Sequence, residues 1–531
     1  MFASEVVETS ETIMAISLEA LSEELLVRIV AFPERPSLHA LALTSRTLNR
    51  LATPALYDSV DLKGGNGDGG NKFLIPLTYH LLQNSDLASM VHSFSIRDVF
   101  TCEEDDLIPL GSEGEDTEYR KGWPADQEDV DSLLERAVAD VVDTEKEQER
   151  LYDILREGSD EGLTIGILIS KLPNLRRLDI IGSMMSAEKR ILSFLQRIAK
   201  REVPFDKKPV LTKLAEVLIC VRYSSKTLHP PMSISNFMQG WDEKYPNSPD
   251  MIGAYMELPS MRRIHGYQLG NNDQDAVTES LGALGIGTSP VEEIELRETQ
   301  LYAADLDKIL KSCRNLKTFI YEVGHAWAWY TLRTSDIMNS MKAIEKTLEN
   351  LVFDHSEYVG DAAEGQDELG AVSLAAFDKL RYLKISAMFL AGWKQETKFD
   401  LKQTFPTALE ELHVTYVGDP IYCPAWVPKA LQEVMERKET VFPGLKKLTL
   451  QGALLNNADR LDAIKGLVQT SKEKGVETVI LADDAEDTRS WNEKGERGWG
   501  FGEEVEWKGC WGNYTHLMSV IDVDGRVVRR S

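Results

Sequence analysis

His355, Ser356 and Glu357 stand in the order that opens a zinc-deaminase motif, where the histidine holds the metal and the glutamate moves protons. No PCxxC follows to supply the other ligands, so the triplet has no metal to serve. The glycine run at 64–70 is supple enough to wrap a phosphate. It lacks the Lys-Ser/Thr that completes a phosphate loop, and it reads as a connector. The phrase "GALGIGTSP" at 282–290 is not a dinucleotide fingerprint, and neither a GxSxG elbow nor an HExxH helix occurs. The five cysteines are far apart and never form a CxxC pair, which argues against a disulfide framework and a zinc knuckle. The residues call for no catalytic site, no metal and no cofactor.

The chemistry that remains is recognition. Polar side chains recur at matching places: Arg177 and Asp179, Glu216, then Arg263, His265 and Tyr267. Glu293, Glu295 and Arg297 follow, then Tyr382 and Lys384, Glu411 and His413, and Lys447 and Gln451. Mixed charge with a few aromatics suits a protein partner better than a small-molecule pocket. Trp327 and Trp329, in "HAWAWY" at 325–330, directly follow one such place and could anchor a partner or pack on the next helix.

These residues need elements to hold them, and one phrase supplies the elements. Apolar, two variable, apolar, one variable, apolar reads as "LRRLDI" from Leu175, "LAEVLI" from Leu214 and "VEEIEL" from Val291. It returns from Leu316, Leu348, Leu380, Leu409, Leu445 and Val476, and more weakly as "VHSFSI" from Val91 and "MRRIHG" from Met261. The last two apolar residues are two apart, which is strand spacing. Helical spacing lies between, at Ile191, Leu192, Leu195 and Ile198, at Leu306, Ile309 and Leu310, at Ile337, Met341 and Ile344, and at Leu461, Ile464, Leu467 and Val468. Strand, loop and helix in irregular repetition predict an α/β leucine-rich-repeat solenoid with a curved parallel sheet. The polar residues above would then line its concave side. A doubly wound sheet offers the same alternation, and recurrence of one phrase favours the solenoid.

Ahead of the repeats, "LSEELLVRIV" and "SLHALALTSRTLNRLATPALYDSV" set Leu25, Leu26, Ile29 and Val30 on one helical face. Leu38, Leu41, Leu48 and Leu51 follow, with Ser22 as a helix cap, Pro33 and Pro36 as a stop, and Thr53-Pro54 as a third helix start. This stretch resembles an F-box of the type found before degenerate leucine-rich repeats in fungal proteins. Leu21, Glu24, Leu25, Leu26 and Ile29 match its opening helix, Leu38 and Leu41 its middle, and Thr44, Ser45, Arg46 and Leu48 its "V-C-R-x-W/L" segment. Ser22 stands where proline is usual, Ser45 where cysteine is common, and Pro33 where leucine is typical. The resemblance implies docking of Leu21, Glu24, Leu25, Leu26, Ile29, Leu38, Leu41 and Leu48 onto a Skp-type adaptor and through it a cullin, with the solenoid binding an unknown target. A scaffold without a ubiquitin role is the alternative, and an α/β enzyme a third.

The expected organisation is a tail at 1–15, an F-box-like module at 16–62 and a connector at 63–85. A solenoid at 86–485 follows, with an acidic surface insertion at 101–132, then a Trp/Gly-rich cap at 486–531. Of 531 residues, 86 are acidic and 59 basic, a net charge of −27 that repels nucleic acid and anionic lipid. The acidic N-terminus does not read as a signal peptide, and no apolar run suggests a membrane span, so an intracellular, cytoplasmic or nuclear protein is expected.

Overall fold

The computed structural model describes residues 18–62, 73–99, 123, 127–158, 160–182, 186–221, 248–267, 269–270, 279–299, 301–323, 334–355, 372–391, 404–417, 423, 425–452, 458–481, 519–521 and 527–529. Three helices come first: α1 (Glu23–Val30), α2 (Arg35–Thr44) and α3 (Arg46–Asp58). Twelve strands then form one sheet: β1 (Ser59–Leu62), β2 (Ser93–Val99), β3 (Arg177–Gly182), β4 (Glu216–Val221), β5 (Arg263–Tyr267) and β6 (Glu293–Thr299) make its first half. Its second half is β7 (Thr318–Val323), β8 (Asn350–His355), β9 (Tyr382–Ser386), β10 (Glu411–Thr415), β11 (Lys447–Gln451) and β12 (Glu477–Leu481). Their order in the sheet is their order in the chain, and every pair is parallel. A doubly wound sheet would reverse direction once; this one never does, and the solenoid is the architecture.

Each recurring phrase becomes the same piece of structure. The last two apolar residues, such as Leu178 and Ile180 or Leu412 and Val414, point into one core with the helices. The first apolar residue closes a turn: Leu175 N–H donates to Leu172 O, Met261 N–H to Leu258 O and Leu445 N–H to Phe442 O, at 3.0–3.2 Å. Pro173, Pro259 and Pro443 occupy the second place of those turns, where a fixed φ near −65° is already the required one. The unit from Met261 is a true strand, β5, like the others.

The helices α4 (Leu74–Gln83), α5 (Ser85–Met90), α6 (Gln127–Ala139), α7 (Glu145–Glu157), α8 (Glu161–Ser170) and α9 (Ser186–Ala199) accompany the first strands. Later come α10 (Ser248–Met256), α11 (Glu279–Ala283), α12 (Ala303–Ser312), α13 (Thr334–Met341), α14 (Ala387–Ala391), α15 (Val427–Glu436), α16 (Lys438–Val441) and α17 (Ala458–Glu473). The four stretches of helical spacing read from the sequence fall in α9, α12, α13 with the 3-10 turn after it, and α17.

Several expectations are corrected. β1 extends the sheet into the stretch assigned to the helical module, because Val60 and Leu62 alternate inward against the main core. Thr53-Pro54 starts no helix: α3 runs unbroken through Pro54, held by Ala52, fully buried between helices, and by Thr53 Oγ1 donating to Asn49 O at 2.7 Å. Ser22 sits at the N-cap of α1, yet its side chain does not bond a helix amide, while Ser45 caps α3 by accepting from Leu48 N–H at 3.2 Å. Part of the expected connector is α4, with Leu74 and Leu81 1% exposed. Of the expected acidic insertion, Trp123 is buried with Nε1 donating to Leu155 O at 2.9 Å, and α6 begins at Gln127, burying Val130, Leu134 and Val138 at helical spacing. Of the expected C-terminal cap, the described residues form an antiparallel pair, β13 (Ser519–Ile521) with β14 (Val527–Arg529).

Stacked aromatics link neighbouring repeats in the core: Phe353 lies 4.2 Å from Phe389 at 11°, and Tyr321 6.4 Å from Phe353. Phe353→Ala is expected to lower the unfolding free energy by about 3–5 kcal/mol in chemical denaturation. Arg381→Ala, whose side chain is 67% exposed, should change it by less than about 1 kcal/mol.

Candidate protein-binding surfaces

The helical module has its own small core of Val30, Leu38, Ala42 and Ala52, with Leu51, Ala55 and Leu56 packed against it. Leu26, Leu38 and Leu48 are 2%, 6% and 4% exposed. At i, i+4 spacing with Val30, Ala42 and Ala52, they form the buried stripe of each helix in the isolated chain, where the sequence reading expected docking residues. Arg50 ties α3 to α1 through two bonds to Glu23, at 3.0 and 2.9 Å, and Asn49 Nδ2 donates to Ala42 O on α2 at 3.1 Å.

What faces outward is a different apolar set. Leu25 is 47% exposed, Val27 49%, Phe32 87% and Leu43 73%, while Leu21, Ile29 and Leu41 are half-buried and Glu24 is exposed. Phe32 and Leu43 escape a sequence reading because nothing in their spacing distinguishes a residue beside the buried stripe from one within it.

The module is not hung on a tether. α3 ends at Asp58 and β1 starts at Ser59. His92 N–H donates to Asp58 O at 2.9 Å, its ring Nδ1 lies 2.9 Å from Asp58 Oδ1, and Tyr57 Oη meets His80 Nε2 at 3.0 Å.

On the sheet face away from the helices, the candidate target residues are brought together but largely consumed by one another. Arg177 Nη2 and Nε hold Asp179 at 3.0 Å, Arg177 lies 3.9 Å from Glu216, Arg263 3.7 Å from Glu216 and 3.5 Å from Glu293. His265 Nδ1 is 2.8 Å from Glu295, Arg297 also pairs with Glu295, and Arg297 reaches Glu322 at 3.0 Å. Burial drives the His265 pKa down to about 4 despite Glu295 beside it, so the ring is neutral at pH 7. Burial alone would raise Glu295, but Arg297 and His265 hold it down to about 2. Burial raises Glu216 and Glu293 against the pull of Arg263. His265, Glu293 and Glu295 offer ligand atoms within 4.8 Å of one another, the sort of set that could hold a metal. Each carboxylate already carries a guanidinium, and the set serves as one stretch of the ion-pair network.

Further along the sheet, Lys384 Nζ lies 3.5 Å from Asp354, both side chains under 10% exposed, and Asp354 accepts from Thr415 at 2.8 Å and from His355 N–H at 3.0 Å. His413 bonds Gln451 at 2.9 Å. Tyr416, left-handed at φ 56°, stacks on His355 at 4.2 Å and donates its hydroxyl to His355 O at 2.7 Å. Tyr382 is buried with Ile320 and Val352. The face is exposed chiefly at strand ends: the Arg263 side chain, at the start of β5, is 51% exposed, and Tyr267 at its end and Glu411 and Lys447 at the starts of β10 and β11 are half-buried. Trp327 and Trp329 lie outside the described residues. No described helix is long and apolar enough to cross a membrane.

In comparison with known proteins, residues 68–422 match the family described as leucine-rich repeat domain. No curated protein matches the chain.

Two changes test this network. His265→Gln keeps a donor for Glu295 and removes the ring's titration. In the native protein, stability falls with acid from pH 6.5 towards 4, where the unfolded chain takes up a proton that folded His265 refuses. Glu295 adds a loss between about 4.5 and 2. Denaturant midpoints at pH 7, 5.5 and 4.5 should therefore flatten in His265→Gln, which removes up to about 3 kcal/mol of that dependence. Lys384→Met strands a buried carboxylate and should cost about 3–5 kcal/mol by the same assay, with Asp354→Leu added recovering most of it.

Proposed function

The chain belongs to the leucine-rich repeat domain family, and we propose that it is the target-holding subunit of a cullin-based ubiquitin ligase. Leucine-rich repeats are protein-binding scaffolds, and this solenoid is read in that role. The module of α1 to α3 docks onto the Skp-type adaptor, and the repeats hold the target within reach. The chain does no covalent chemistry in this reading; its contribution is proximity.

One observation carries it. A three-helix module with a closed core of its own still turns Leu25, Val27, Phe32 and Leu43 to the outside. Exposed apolar side chains mark an interaction site where they form one patch, and these four are read as a single docking surface. Burying four of them would supply about 1.5–3 kcal/mol each before ordering costs. The contact set therefore centres on Leu25, Val27, Phe32 and Leu43, flanked by Leu21, Glu24, Ile29 and Leu41. On the target side, the half-open strand ends, with Arg263, Glu411 and Lys447 at strand starts and Tyr267 at the end of β5, are the accessible part of the sheet face.

The test is co-expression with a Skp-type adaptor. The native chain is expected to elute with it, and Leu25→Asp with Phe32→Asp to elute alone at unchanged melting temperature, since neither residue belongs to the module core. A native chain that elutes alone supports a scaffold with no ubiquitin role. Adaptor retained by the double variant removes the proposed contact surface.

A further inference from the structure

The residues that stand immediately before the strands form a second line of charges, separate from the network above. Across β5 to β11 they are Arg262, Glu292, Lys317, Glu349, Arg381, Glu410 and Lys446. The sign alternates without exception over seven consecutive repeats. The strands are parallel and in register, Arg263 beside Glu293 beside Thr318 and on to Lys447, so these residues are lateral neighbours. Lys317 Nζ lies 2.6 Å from Glu292, Lys446 2.5 Å from Glu410 and Arg381 3.9 Å from Glu410. Glu292 and then Glu349 raise the Lys317 pKa. The first residues of the strands repeat the pattern where they are charged: Arg177, Glu216, Arg263 and Glu293 on β3 to β6, then Glu411, Lys447 and Glu477 on β10 to β12.

Isolated surface pairs of this kind add little stability. Their sign order does something else. The apolar phrase is nearly the same in every repeat, so burial alone barely distinguishes a strand's correct neighbour from the one after it. Alternation has a period of two strands. Any stack that loops out one repeat sets Arg262 against Lys317, or Glu292 against Glu349, about 4.8 Å apart, and like charges directly opposite repel. We propose that this alternating ladder enforces the order of the repeats, excluding stacks in which a strand skips its neighbour.

Two variants of the full chain separate sign order from particular partners. Glu292→Lys, Glu349→Lys and Glu410→Lys together make all seven positions positive. The complete inversion, with Arg262, Lys317, Arg381 and Lys446 also changed to Glu, restores alternation with every sign reversed. Each is unfolded in denaturant, refolded at low ionic strength and in 1 M salt, and followed by monomer yield and unfolding midpoint. The all-positive chain is expected to lose roughly a hundredfold in its folding equilibrium constant at low ionic strength, and to recover most of it at 1 M, where screening reaches about 3 Å. The inverted chain should fold to within about threefold of native. Native refolding of the all-positive chain would overturn the proposal. So would an inverted chain as impaired as the all-positive one, because individual contacts would then matter and not their order.

Discussion

A parallel strand of five or six residues cannot cover its own apolar side, and every feature of this molecule follows from stacking such strands in register. Leu178, Val217, Ile264, Ile294, Phe319, Leu351, Leu383, Leu412 and Leu448 fill equivalent places in successive repeats and lie in one continuous core. No repeat is a stable object by itself; each is the wall on which the next is built. The turn that closes each repeat brings its leading apolar residue under the strand, so the recurring six-residue phrase of the sequence is also the corner geometry of the solid.

That rhythm made the sheet legible before any coordinate was known. Three features of the chain do not show in it. β1 hides because "SVDL" offers two apolar residues and no lead-in phrase, and it becomes a strand only because β2 lies beside it. Pro54 reads as a boundary when judged by its lost N–H alone, whereas packing of Ala52 carries the helix through it. Leu26, Leu38 and Leu48 sit on apolar stripes that a one-dimensional reading cannot assign to an inner or an outer side. The polar face was visible as positions and invisible as pairs: Arg263 and Glu293 are thirty residues apart, and only register makes them neighbours.

Pairing changes what the polar face is for. A row of charges lining a solenoid invites interpretation as a docking site, and here most of those charges have answered one another across adjacent strands. The buried carboxylates Asp179 and Glu295 and the partly exposed guanidiniums that pair with them link adjacent strands at the cost of desolvation, so the pairs add little net stability. In the proposed reading, recognition falls to the half-open strand ends and to the apolar residues of the helical module.

The direct passage of α3 into β1 has a practical corollary for anyone building chimeras. Helix and strand share no spacer, and the backbone at Asp58 is itself hydrogen-bonded to the second repeat through His92. The helical module is therefore not a detachable cassette. A splice at residue 58 would tear open the first course of the masonry, and a clean graft must carry β1 along with the helices it continues.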